Sequence, residues 1–424
     1  MTANDKSDIW EAPRLPRLYP IFVDRDQQIQ IILDALRPDS RISLVLVEGP
    51  RGIGKTSLTS EIARQCWTEK VFRKIVWVRV RDNFLTANRI VWQSNIRRSF
   101  GEVLSAIADE FGHYHAADQS SRQDWQTIYY LLAQQPTLLC LDNLEALSDS
   151  ELDIFADFLR CPPTTLKCLV TSGKRLDIDG ALPIQLGPLG REHAINFIRY
   201  MAIHYGLEIT NSHMRKVCDV TYGNPGAMGW LMALVGRSGL SIEDALNKAL
   251  RESQDNFLSF CFDETVKTLD QSVRRLLLIL ARIPKPLSPD GIQKIAKMPS
   301  TELREGLQKL SQLFLVYSDS LGQYWLAPLP GAYVKDLADS LGYGRLDYVD
   351  HSYFERPFWR SKISAQFLGL TCPVTRQPLK LGGEIVVCGN CFTVYSAAGW
   401  EYVEECPVCA QSYEEVTGKW SQER

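Results

Sequence analysis

Gly49-Pro-Arg-Gly-Ile-Gly-Lys-Thr56 fits the pattern GxxxxGK[ST], and its flanks leave few folds open. The apolar run Leu44 to Val47 precedes it, and a helix-like segment from Lys55 to about Trp67 follows, so the loop joins a strand to a helix. The glycines let backbone N–H groups turn inward, and the start of the helix adds partial positive charge, so such a loop cradles phosphates. Lys55 is then placed to reach the β- and γ-phosphates of a nucleoside triphosphate, and the Thr56 hydroxyl to ligate Mg²⁺. The expected phosphate contacts are Gly49, Arg51, Gly52, Ile53, Gly54, Lys55, Thr56 and Ser57.

The rest of the first half fits around this loop. Ile75 to Val80, Thr137 to Leu141 and Leu166 to Thr171 read as further strands, and Phe100 to Phe111 has helical spacing. Strands alternating with helices predict an α/β domain, a P-loop NTPase parallel sheet covered on both faces, over residues 21–190. Residues 1–20 read as a proline-punctuated tail. From about 190 onward helical periodicity takes over, through Ile195 to Tyr205, Met214 to Thr221 and Ala227 to Val235, which predicts a helical lid over 191–262. Three helix-like segments and two apolar strands around a Ser-Leu-Gly turn predict a winged helix over 263–342. Residues 343–371 lack periodicity and read as a linker.

An apolar strand ending at Asp142 supplies a carboxylate suited to hold Mg²⁺ through its water shell, the bland alternative being a cap on the next helix. Asn143 beside it cannot act as a general base. Glu145 is the nearest candidate for that role, and equally a solvent-facing helix residue, so slow hydrolysis or none is expected. Lys174 and Arg175 follow the fourth strand, where a cation can sense the γ-phosphate; a solvated loop cation is the alternative for either.

Eleven cysteines are unevenly placed, with six scattered from Cys66 to Cys261 and five between Cys372 and Cys409. The scattered ones read as small buried hydrophobes. Cys388-Gly-Asn-Cys391 and Cys406-Pro-Val-Cys409 are two CxxC knuckles, a spacing suited to one tetrahedral Zn²⁺ in a small domain over 372–415.

Charge and hydropathy narrow the partners. The net charge is -3, and the longest apolar stretch, Leu276 to Ala281, is far below the roughly 20 residues of a membrane span. No membrane partner is expected, and the polar amino terminus predicts a cytoplasmic chain. Residues 372–424 carry four Lys or Arg against seven Glu, which favours a protein partner over nucleic acid for the cysteine-rich end. Residues 263–341 carry ten basic and nine acidic side chains, so the winged helix is not a strongly cationic reader of DNA.

Taken with the P-loop, these motifs resemble the STAND branch of P-loop NTPases, the signal-transduction ATPases that include NACHT and NB-ARC proteins. Phe22-Val-Asp-Arg-Asp26 looks like the branch's opening motif near the adenine, with Asp24 where Gly is usual. Leu141-Asp-Asn-Leu-Glu145 is similar to its second phosphate-site motif, Gly187-Pro-Leu189 to the segment leading into the lid, and Gly223-Asn-Pro225 to the motif whose proline packs on adenine. The resemblance implies ATP or ADP as nucleotide, with Phe22, Val23 and Pro225 among its contacts. It also implies a homo-oligomer when activated and a prokaryotic role in signalling or in defence against phage. Two positions depart from the branch: Gly173 stands where Arg is frequent, and Ala327 where many members place a His on ADP. The cysteine-rich end resembles a RING-like finger with four ligand pairs in cross-brace order. Pair one falls on Cys372 and Thr375 and pair three on Ser396 and Gly399, so three of four ligands of one site are missing while the Cys₄ set is intact. The leading expectation is an ATP-controlled switch of weak ATPase activity that borrows an effector or sensor from a protein docked on the finger. The rivals are an AAA+ or origin-binding-like ATPase acting on DNA through its winged helix, and an adaptor whose finger recruits a modifying enzyme.

Overall fold

In the computed structural model, residues 13–16, 22–85, 90–96, 99–113, 122–239, 241–245, 257–283, 286–340, 358–362, 372, 374–380, 383–388 and 394–403 are described. They fall into two compact units. The first is built mainly from residues up to Ile184, and the second from Gln185 onward together with Pro50–Ile53 and Leu85–Val91.

The first unit is an α/β domain. Its elements run α1 (Asp26–Leu36), β1 (Leu44–Glu48), α2 (Lys55–Thr68), β2 (Lys74–Arg79), β3 (Arg81–Leu85), β4 (Ile90–Ile96), α3 (Phe100–Glu110), α4 (Arg122–Ala133), β5 (Thr137–Asp142), a 3₁₀ turn (Leu144–Ala146), α5 (Asp149–Phe158), β6 (Leu166–Ser172) and β7 (Leu182–Gln185). The main sheet has the order β2-β5-β6-β1-β7. β2 pairs with β5, β5 with β6 and β6 with β1, all parallel. Every residue of β1, β5 and β6 is buried, as a strand covered on both faces requires. Alternation sends Leu44, Leu46, Leu139, Leu141, Cys168 and Val170 into a core with α3, α4 and α5. Phe100 anchors that core, its ring edge-on to Phe155 at 5.5 Å and to Phe158 at 5.4 Å. Because β6 lies between β1 and β5, the carboxyl ends of three parallel strands open side by side where the P-loop begins.

Three strands were not expected from the sequence: β3 and β4 form a separate two-stranded sheet, and β7 extends the main sheet at β1. Of the scattered cysteines, Cys66, Cys140, Cys168, Cys218 and Cys261 are buried, but Cys161 is exposed. Burial pushes the Cys66, Cys168 and Cys218 thiols up to about 12, so they are inert at neutral pH.

In the second unit α6 (Arg191–Tyr205), α7 (Asn211–Thr221) and α8 (Pro225–Ser238) pack on one another. Helices Phe257–Lys267, Gln271–Leu280, Pro289–Ala296 and Ser300–Gln312 follow, then an antiparallel hairpin of Val316–Ser318 and Tyr324–Leu326, then helix Pro328–Ser340. Leu287 makes a third, single antiparallel bridge to Tyr324, and Trp325 is fully buried at the hairpin. Strands Phe358–Lys362, Glu384–Cys388 and Val394–Ser396 form an antiparallel sheet. The stretch read as a linker therefore contributes a strand. Among the described residues no helix is long and apolar enough to cross a membrane.

Candidate nucleotide site

The P-loop is held by its own backbone. The Gly49 amide donates to the Ser172 carbonyl at 3.2 Å, and the Leu58 amide to the Gly54 carbonyl at 2.9 Å. Gly52 and Gly54 have φ of 77° and 102°, a region that a Cβ makes costly, which is why the loop needs glycine there. Lys55 is buried and turns back along the loop, donating from Nζ to the Gly49 carbonyl at 2.7 Å. Ile53 is buried too, and its amide donates back to the Pro50 carbonyl at 3.4 Å.

Asp142 is the hub of the site. It is fully buried, and its Oδ1 accepts from Thr56 Oγ1 at 2.8 Å and from Thr171 Oγ1 at 2.7 Å. Thr171 Oγ1 in turn accepts from the Asn143 amide at 2.9 Å. Asp142 Oδ2 accepts from Arg79 Nε at 3.0 Å, an ion pair fixed by the register that sets Arg79 opposite Asp142 across β2 and β5. The reading of Asp142 as a helix cap fails: Ser148 caps α5, accepting from the Glu151 amide. The hydroxyl of Thr56 and the carboxylate of Asp142 thus meet at one point with a buried ammonium on the same loop. That donor set fits Mg²⁺ bound to a nucleoside triphosphate.

Around this hub the other candidates separate. Glu145 turns inward: a Cβ on Gly173 would lie 2.6 Å from Glu145 Oε1, and Oε2 is buried with no hydrogen-bond partner among the described residues. Gly173, where the resembled branch often carries Arg, is therefore the residue that makes room for that carboxylate. Lys174 is tied to Asp149 at 2.7 Å. Arg175 lies close enough to Glu48 to act on its charge. Glu48, the last residue of β1, accepts from the Leu176 amide at 2.6 Å and joins the end of the P-loop strand to the loop after β6. Burial raises its carboxyl to about 7, against the lowering by the Leu176 amide and Arg175 and with a further raise from Asp177.

Near the amino end, Phe22 and Val23 are half-buried. Asp24 and Arg25 have φ of 64° and 82°, and Asp24 Oδ1 accepts from the Arg25 amide at 2.7 Å. The left-handed backbone at Asp24 accounts for glycine being usual there in the resembled branch, and Asp is among the residues that tolerate it. Arg25 is buried, which lowers its affinity for a proton despite Asp24.

Within the second unit, Gly187-Pro-Leu189 and Gly223-Asn-Pro225 lie together: the Leu189 amide donates to the Gly223 carbonyl at 2.9 Å. Pro225 opens α8 at its first turn, and Asn224 caps it, accepting from the Ala227 amide at 3.1 Å. Asn224 Nδ2 also donates to the Arg51 carbonyl at 3.1 Å, and the Gly226 amide to the Gly52 carbonyl at 2.9 Å. So Asn224, not Pro225 alone, is the residue of this motif that grips residues 50–53. Asn224→Ala removes a cap and a buried hydrogen bond, and is expected to lower stability by about 1–2 kcal/mol in urea unfolding.

Sequence reasoning passed over Arg79, Thr171, Asn224 and Glu48. Each is a polar residue at the end of an apolar strand or before a helix-opening proline. That signal was present but does not say what the side chain reaches.

The zinc candidates Cys391, Cys406 and Cys409, and the side chain of Cys388, lie outside the described residues. Among the described residues no group of three or more His, Cys, Asp or Glu is arranged to hold a metal. The four positions of the degenerate pairs do come together. A Cβ on Gly399 would lie 2.6 Å from Cys372 Sγ, 2.9 Å from Ser396 Oγ and 3.0 Å from Thr375 Cγ2. Ser396 Oγ accepts from the Gly399 amide at 3.0 Å, and the Thr375 and Ser396 hydroxyls are 3.5 Å apart. Burial would raise the Cys372 thiol, but hydrogen bonds from Ser396 and Thr375 outweigh it and hold the thiol below its ordinary value.

Comparison with known proteins agrees with the first unit. Residues 21–170 match the AAA ATPase domain family. No curated protein matches the chain. Among solved structures, a Walker-type ATPase of Pyrococcus abyssi overlaps with a TM-score of 0.51 at 15% identity, covering 74% of this chain and 96% of that one. A signal transduction ATPase with numerous domains (STAND) and a tetratricopeptide repeat sensor, from Pyrococcus horikoshii, gives 0.34 at 19% identity over 76% of this chain and 43% of that one. A mutant form of RuvB from Thermotoga maritima gives 0.37 at 14% identity over 76% of this chain and 97% of that one. The first overlap speaks to fold; the other two are too distant to carry weight. The family match and the parallel sheet establish a P-loop ATPase domain.

Proposed function

We propose that this chain is a nucleotide-controlled switch of the STAND kind, in which bound ATP sets conformation and turnover is secondary. The observation that carries the reading is the meeting of Thr56 and Asp142 at 2.8 Å beside the buried Lys55. Lys55 would hold the β- and γ-phosphates, Thr56 would ligate Mg²⁺, and Asp142 would hold the ion's water shell. Bound Mg²⁺ supplies charge neutralisation across the phosphates. The match of residues 21–170 to an ATPase domain family supports ATP over GTP as the nucleotide. Asn143 cannot take a proton from water, and the inward Glu145 is the remaining candidate base, which supports slow hydrolysis.

The helices and hairpin between Gln271 and Leu326 suit a winged helix that relays the nucleotide state within the chain. The carboxy-terminal segment suits a RING-like finger reduced to one zinc, held by Cys388, Cys391, Cys406 and Cys409. What supports that reading is the knuckle spacing together with the convergence of Cys372, Thr375, Ser396 and Gly399 at the degenerate position. Its acidic balance favours a protein partner.

Mass measurement of the full chain with ATP, with ADP and as Lys55→Ala tests the switch. An ATP-dependent homo-oligomer absent from the variant supports it, and a monomer in all three states contradicts it. Elemental analysis should find one zinc per chain, lost in Cys406→Ser and retained in Cys372→Ala; retention in both would remove the finger assignment.

A further inference from the structure

We propose that Arg79 is a resident cation on the magnesium side of the nucleotide site, and that it sets how strongly nucleotide binding depends on the divalent ion. The inference rests on the P-loop reading above. Asp142 Oδ1 is taken by the hydroxyls of Thr56 and Thr171, and Oδ2 by the Arg79 guanidinium at 3.0 Å. The carboxylate that a divalent ion would approach is therefore already half neutralised by a side chain of the adjacent strand. Arg79 is not carried on a loop. It is the last residue of β2, opposite Asp142 in the parallel register, so the sheet itself fixes the pair. The Asp142 side chain is 1% exposed and that of Arg79 31%, which leaves the guanidinium between the buried carboxylate and solvent.

Two consequences follow from charge alone. An arriving Mg²⁺ meets a carboxylate shared with a cation, so the ion gains less from Asp142 than from an unshared carboxylate. A nucleotide arriving without Mg²⁺ meets both Lys55 and Arg79, so it binds better than it would in a site with Lys55 alone. Both effects push the same quantity in the same direction: the ratio of nucleotide affinity with Mg²⁺ to affinity without it is kept small. Arg79 is a positioning and charge-setting residue and touches no reacting atom.

The ratio can be read directly, with no hydrolysis, from equilibrium binding of a fluorescent ATP analogue in excess Mg²⁺ and in excess chelator. Arg79→Gln keeps a hydrogen-bond donor for Asp142 Oδ2 and removes the charge; Arg79→Lys keeps the charge and removes the fork. The expected result is a ratio about tenfold larger in Arg79→Gln, the solvent-screened effect of one unit charge a few ångströms away, and near wild type in Arg79→Lys. Thermal unfolding of each variant without nucleotide checks that the fold is intact, and Arg79→Ala serves as a second neutral variant. A ratio unchanged in both neutral variants, with binding otherwise normal, overturns the proposal while leaving the P-loop reading in place. A change in Arg79→Lys as large as in Arg79→Gln also overturns it, since geometry and not charge would then be at work. Wild-type protein that binds no analogue in either condition overturns the P-loop reading and this inference with it.

Discussion

Asp142→Ala should lower the free energy of unfolding by about 3 kcal/mol, measured in urea without nucleotide. The carboxylate is fully buried and joins three elements: Thr56 at the start of α2, Thr171 in β6 and Arg79 at the end of β2. Removing it strands two hydroxyls and deprives Arg79 of its counter-charge. Breaking a buried pair from one side costs about 3–5 kcal/mol in general, and the lower end applies because Arg79 can still reach water. Asp142→Asn should cost less, because its amide oxygen still accepts from Thr56 and Thr171 while its amino group opposes Arg79. An Asp142→Ala protein within about 1 kcal/mol of wild type, the value of one ordinary hydrogen bond, would mean that the carboxylate is not the hub described.

Glu48→Gln should be more stable than the wild type at alkaline pH and indistinguishable from it in acid. The folded chain holds the Glu48 carboxyl at about 7, above its ordinary 4.5, chiefly because it is buried. Below pH 4.5 the group is protonated folded and unfolded, so its burial carries no ionisation cost. Between 4.5 and 7 the unfolded chain ionises first, unfolding releases a proton, and stability falls as pH rises. Above 7 the cost is constant, at most roughly 3 kcal/mol for a shift of this size. Glutamine keeps an acceptor for the Leu176 amide and does not ionise, so the gap between variant and wild type should open over that window. A gap that stays flat from pH 4.5 to well above 7 would show that the carboxylate is ionised in the folded protein throughout.

What could be read from the chain and what could not follows from how each residue acts. β1, β5 and β6 are buried on both faces, so they had to be continuous apolar runs, and the P-loop between β1 and α2 carries its chemistry in local spacing. Arg81–Leu85 and Phe358–Lys362 show neither alternation nor an apolar run, so the first is assigned no element from sequence and the second falls within the stretch read as a linker. Leu182–Gln185 is four residues long, too short for any period to show. Asp142 was legible as the end of a strand. That its second oxygen belongs to Arg79 depends on the β2–β5 register, which joins residues 63 positions apart and leaves no mark on local sequence. Asn224 stands before a helix-opening proline, but its bond to the Arg51 carbonyl spans 173 positions. Glu145 was balanced between base and solvent; Gly173, noted only as a departure from a resembled branch, is what admits it inward.

Residues Gly49 to Ser57 with Asp142 are proposed to hold one Mg²⁺-nucleotide per chain. Equilibrium titration of purified full chain with ATP and Mg²⁺, beside Lys55→Ala, tests it most directly. A single site per chain is expected, weakened on the order of a hundredfold in the variant by loss of charge-assisted bonds to two phosphates. Equal affinity in wild type and Lys55→Ala, or no binding by the wild type at millimolar ATP, would contradict it.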